Sequence, residues 1–317
     1  MNIRSTIPAV GLFGAIVALT WAQEGAKPAE TPAAAATPGG TTAGLVAGQA
    51  IADPYRLVAV ADALMAANRS VQFEARAEGV GALGGTIPTV VARVAMDRDE
   101  PGWFGQGGVW RVSVRGRLSD PAEASGEAAL RERPFEFYRM VDEDVLILPD
   151  RKEMLSVSNL ALPTAMDLGP GYVVGWIQEW RRLVVLPMLE QQGRAADRTE
   201  AGKAGAKGAS ADQPRPKPGS SLALSLDGVR QIDGVTCDVI KAETTLADGS
   251  AYTTWWSIAR TDRFPRRLEV RVFSERGEGF AVLSLGRVQV NTPLESGAYS
   301  WSLPADWRVG ELEPKQK

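Results

Sequence analysis

Apolar and polar residues alternate along most of this chain, and the period of the alternation marks its elements. Tyr252, Thr254, Trp256 and Ile258 share one face of a stretch, and in the next Leu268, Val270 and Val272 stand opposite Arg267, Glu269 and Arg271. A period of two belongs to a strand with one buried face, because successive side chains leave opposite sides of the backbone. The same rule sets Val71, Phe73, Ala75 and Ala77 against Gln72, Glu74, Arg76 and Glu78 over 71–80, and Val94 and Met96 against Arg93 over 90–96. It also sets Trp110, Val112 and Val114 against Arg111, Ser113 and Arg115. Further strands are predicted over 135–141, 145–148 and 154–157. At Gly286 the apolar positions pass from odd (Ala281, Leu283, Leu285) to even (Val288, Val290), as a bulge would make them.

Two stretches change to a helical period. Asp53 and Pro54 supply an N-cap and a first-turn proline, and Leu57, Val60, Ala61, Leu64 and Met65 follow at helical spacing, which predicts a helix over 54–68. Over 171–192, Val173, Trp176, Ile177, Trp180, Leu183 and Val184 lie on one side and Gln178, Glu179, Arg181 and Arg182 on the other. Pro187 is expected to kink or end this helix. Gly169, Pro170 and Gly171 before it make it a candidate movable lid.

The ends and one internal segment read differently. Residues 1–22 combine Arg4, an apolar run over 9–19 and small residues at Thr20 and Ala22, the layout of a secretory signal. The expected location is therefore periplasmic or secreted, with no lipobox cysteine after the run and no transmembrane anchor. Residues 23–52 are an Ala, Pro and Thr-rich leader too poor in apolar surface to fold, and 193–221 read as a disordered insertion inside one domain spanning 53–312.

Composition narrows the function. The net charge of -3 lacks the basic excess that a nucleic-acid binder needs. Histidine is absent, which removes the base or ligand that serine, cysteine and metal hydrolases usually recruit. No phosphate loop or nucleophile turn stands out, and no cofactor is expected. Asp97, Asp99 and Glu100 lack the spaced series of a calcium loop and read as an acidic turn. Cys237, the single cysteine, reads as a small buried side chain. The expectation is a protein that is not an enzyme.

The last third carries a family resemblance. The segments DGVTCDVIKAE (233–243), YTTWWSIARTDRFPRRLEVRV (252–272) and VQVNTPLESGAYSWSLPADW (288–307) resemble the strand, tryptophan-turn-Phe-Pro-Arg and closing aromatic segments of the LolA and LolB lipoprotein carriers and RseB-type sensors. About a quarter of the chain carries the match. The resemblance implies an α+β fold, an incomplete antiparallel β-barrel (half-barrel) with helices packed on its concave side and a hydrophobic cavity between them. The carriers' functional arginine does not align to any one of Arg93, Arg111 or Arg115, so no arginine role is transferred.

In such a fold the cavity walls would be Phe73, Val94, Trp110, Val112, Phe135, Phe137, Trp256 and Val270, roofed by Trp176 and Trp180. The bland alternative is that these side chains simply fill a core. Arg111, Arg115, Arg266, Arg267 and Arg271 read as solvated outer-face residues. The expected function is a carrier or binder of an acyl chain or lipidated protein. The rival is an envelope sensor or interaction module with a filled core and a protein partner.

Overall fold

The computed structural model describes residues 48–98, 111–120, 132–140, 143–203, 219–274 and 276–314. The signal, most of the leader, Trp110, Asp99 and Glu100 lie outside them. Twelve strands form one sheet in the order β12-β6-β5-β4-β3-β2-β1-β11-β10-β9-β8-β7. β12 and β7 are its two free ends, so the sheet is an incomplete barrel. Its strands are β1 Ser70–Gly81, β2 Thr89–Asp97, β3 Arg111–Ser119, β4 Glu132–Arg139, β5 Asp144–Leu148, β6 Glu153–Ser156, β7 Ser221–Ile232, β8 Val235–Thr245, β9 Ala251–Ala259, β10 Pro265–Ser274, β11 Gly277–Val290 and β12 Arg308–Glu311. Every neighbouring pair is antiparallel except β12 with β6.

The alternation read from the sequence sets which face is buried. Val71, Phe73, Ala75 and Ala77 of β1 all point into the core, and Phe73 faces Val94 across the β1–β2 ladder. Val94 faces Val114, which in turn faces Phe137, so one apolar row crosses four strands. The bulge falls where the parity changes: the β1–β11 register shifts between Gln72 paired with Gln289 and Glu74 paired with Gly286, and Arg287 takes a positive φ of 49°.

The helices lie on this apolar face. α1 (Pro54–Ala67) starts with Asp53 Oδ1 accepting from the Tyr55 amide at 3.0 Å and buries Leu57, Val58, Ala61 and Met65. Its C-terminal carbonyls, Ala66 and Asn68, accept from the buried Arg98 guanidinium, a cation placed where the helix dipole favours one. α2 (Leu162–Asp167) and α3 (Gly171–Val174) lead into α4 (Trp176–Trp180), a π turn over Arg181–Val185, and α5 (Leu186–Lys203). Pro187 therefore neither ends nor breaks the helical run. The distortion falls on the preceding turn, which widens to the π geometry. α5 also carries the helix past Gly193 to Lys203, and 204–218, the larger part of the segment read from sequence as an insertion over 193–221, lie outside the described residues.

A second, smaller core sits on the opposite face. After β11 the chain crosses the outside of β3–β5 as a strap, and Trp301 and Trp307 pack against Tyr138, Val145 and Ile147. Arg115 fixes the strap by donating to the carbonyls of Gly297 (3.1 Å) and Ser300 (2.9 Å), before β12 pairs with β6.

Candidate functional site

All the described wall candidates, Phe73, Val94, Val112, Phe135, Phe137, Trp256 and Val270, lie in one continuous core with the roof residues Trp176 and Trp180. The roof touches both halves of the sheet. Trp176 meets Phe73 of β1 edge-on, with ring centroids 6.3 Å apart, and also Phe264, at 5.4 Å, just before β10. Trp180 meets Trp256 of β9 at 5.0 Å, and its Nε1 donates to Asp62 Oδ1 of α1 at 3.1 Å. Phe135 stands apart from these ring contacts, under the α2–α3 turn. Gly169 there has a φ of 142°, and a Cβ on it would run into the Phe135 ring.

The roof is less simply amphipathic than its spacing predicts. Glu179, expected on the polar side, is buried at 4% exposure. Arg182 covers the Tyr252 ring of β9 at 5.0 Å and donates to Glu179 Oε2 at 2.8 Å. Burial pushes the Glu179 carboxyl above the usual carboxylate range, and Arg182 opposes that shift. Glu179 Oε1 and the Trp176 indole nitrogen are buried and have no hydrogen-bond partner among the described residues. The Leu183 carbonyl, which Pro187 has no N–H to meet, accepts instead from Thr244 Oγ1 of β8 at 2.5 Å.

Several residues of this arrangement escape a reading of spacing alone. Phe264, Thr244 and Asp62 contact the roof from other elements, and no periodicity in their own segments marks them. Arg266, expected on a solvated face, is buried at 5% exposure. It sits at an irregularity between Pro265 and Arg267 and folds back onto Asp262 (2.5 Å) and the Phe264 carbonyl (3.0 Å). Arg111 and Arg115 are not free outer-face cations either: Arg111 pairs with Asp97 and lies over the Tyr299 ring, and Arg115 holds the strap.

A cavity of about 530 Å³ opens on the outer face of β1–β4, lined by Glu74, Val91, Arg93, Arg115, Arg117 and Glu132 among others. Each of its guanidiniums has a carboxylate beside it, Arg93 with Glu74 at 3.6 Å, Arg115 with Glu136 at 3.7 Å and Arg117 with Glu132 at 3.2 Å. Such a lining suits solvent better than an acyl chain. Among the described residues no cluster of His, Cys, Asp and Glu is placed to hold a metal ion, and no helix is long and apolar enough to cross a membrane.

No family model matches the chain, and no curated protein does. Solved structures do align with it. Lipoprotein LppX of Mycobacterium tuberculosis is 16% identical, with 76% of this chain and 96% of that one covered and a TM-score of 0.39. MucB is 13% identical over 81% of this chain and 65% of its own, with a TM-score of 0.33. A putative outer membrane lipoprotein-sorting protein domain from Vibrio parahaemolyticus is 11% identical over 78% and 95%, with a TM-score of 0.27.

Proposed function

We propose that this chain is an exported, non-enzymatic binder of a hydrophobic ligand, an acyl chain or an acylated protein, held between the roof of α3–α5 and the inner face of the sheet. One observation carries the reading. The roof meets the sheet through large aromatic rings, yet keeps a wide π turn and buried polar atoms without partners. A segment packed for good would satisfy those atoms, since each one left unmade costs about 1–3 kcal/mol. An element that exchanges protein contacts for ligand contacts retains such defects, and π turns recur at sites of this kind. Burying an acyl chain returns ~0.8 kcal/mol per methylene, enough for a long chain to offset displacement of the roof.

The test is native mass spectrometry of protein purified from the cell envelope, followed by delipidation and titration with a fluorescent fatty-acid probe. A co-purifying lipid and saturable probe uptake are the expected results. Delipidated protein that takes up no probe sinks the reading.

The rival, an interaction module with a filled core, draws on one observation of its own: every described wall candidate is already buried. Trp176→Ala with Trp180→Ala separates the two. A ligand binder loses probe uptake, whereas an interaction module with its fold intact retains its envelope partner in a pull-down.

A further inference from the structure

Four tryptophans are fully or nearly fully buried among the described residues, and three of them have an acceptor for the indole N–H. Trp180 donates to Asp62 at 3.1 Å, Trp255 to Asp227 at 2.8 Å and Trp256 to Thr254 Oγ1 at 2.9 Å. Trp176, at 3% exposure, has none. Its ring is fixed edge-on by Phe73 and Phe264, so the N–H is held at a set place in the roof and has little freedom to seek an acceptor elsewhere. An indole donor buried without an acceptor is costly to the folded chain, and the other three show that this fold supplies acceptors to its buried indoles.

We infer that Trp176 Nε1 is the hydrogen-bond donor for the carbonyl oxygen of a neutral acyl ester or amide, so that the ligand is read at its head as well as buried along its tail. The inference rests on the proposal that the roof covers an acyl ligand. Glu179 favours the neutral head over a free fatty acid. It lies three residues on and already holds the Arg182 guanidinium at 2.8 Å, so a free carboxylate buried among the rings around Trp176 would have no cation of its own, whereas a neutral ester or amide needs none. The apolar rings around Trp176 strengthen a single hydrogen bond, because no water competes for it.

The experiment uses the full chain and three probes of equal tail length: methyl palmitate, palmitate and hexadecane. Wild type is expected to prefer methyl palmitate to palmitate. Trp176→Phe is expected to weaken methyl palmitate about tenfold and leave hexadecane unchanged, because only the ester has an acceptor to lose. Trp255→Phe, on the outer face, is the control and should alter none of the three. Methyl palmitate labelled with carbon-13 at the carbonyl adds a readout on wild type alone: its stretching band should fall in frequency on binding, relative to the ester in hexadecane, and Trp176→Phe should abolish the fall. An unshifted band, or equal loss for ester and alkane in Trp176→Phe, overturns the inference and leaves the binder standing. Wild type that binds none of the three probes removes the binder and the inference together.

Discussion

Asp144 shows how one buried side chain ties this fold to pH. It opens β5 with its side chain one-tenth exposed and lies 3.3 Å from Arg139. Burial pushes its carboxyl from 3.8 up to about 6, and the Arg139 charge only partly restrains it. The folded chain thus keeps this proton to a higher pH than the unfolded one. Its contribution is complete below about 3.8 and is lost as pH rises through about 6. The shift is worth on the order of 3 kcal/mol. Urea unfolding should therefore show wild type losing about 2–3 kcal/mol between pH 4 and pH 7 relative to Asp144→Asn, and parallel pH profiles would refute burial as the cause. Legibility at this scale depends on whether a residue's neighbours are near it in sequence. Cys237 reads correctly as a buried small side chain, and burial raises its thiol to about 11. Glu179 and Arg266 do not, because the groups around them, Arg182 laid over Tyr252 of β9 and the back-folded turn at Asp262, involve distant or irregular backbone.

At the scale of elements, a binary pattern names a face but not a partner. Alternation marked β1, β2, β3, β9 and β10 and placed the bulge at Gly286, since a half-buried strand must alternate. It was silent on β12, whose four residues Arg308–Glu311 are all exposed and which pairs in parallel with β6. The roof was legible as a helix from its apolar stripe. Its π turn was not, because the turn reflects a missing amide at Pro187 and a hydroxyl from β8 that takes up the carbonyl left over. That hydroxyl gives the roof a measurable hinge. Thr244→Val keeps the side-chain shape and strips the Leu183 carbonyl of its donor, which should destabilise the protein by about 1–2 kcal/mol. Amide hydrogen exchange is the deciding measurement, and it should quicken over 181–188 more than over β8 itself. Uniform quickening would mean that the π turn is not a separate opening unit.

The whole molecule sets two cores back to back on one sheet, and this division separates stability from the proposed binding. The inner core joins the roof to the sheet, and the outer one joins the strap to β4–β6. The curl of the sheet was expected from family motifs rather than from alternation. Pairing of β1 with β11 joins residues about two hundred positions apart, and no local pattern encodes such a partner. Trp301 anchors the outer core, its ring 5.0 Å from that of Tyr138, whose hydroxyl accepts from Arg115 at 2.8 Å. Trp301→Ala removes that partly buried ring and loosens the strap that Arg115 fastens, so the expected loss is about 2 kcal/mol of unfolding free energy. Acyl-probe affinity should stay unchanged, because Phe73, Trp176, Trp180 and Trp256 all lie across the sheet from the strap. A variant that loses stability and probe affinity in parallel would mean that the strap holds the curvature of the sheet on which the inner face depends. Ligand occupancy would then be coupled through the strands to the outer surface instead of being confined beneath the roof.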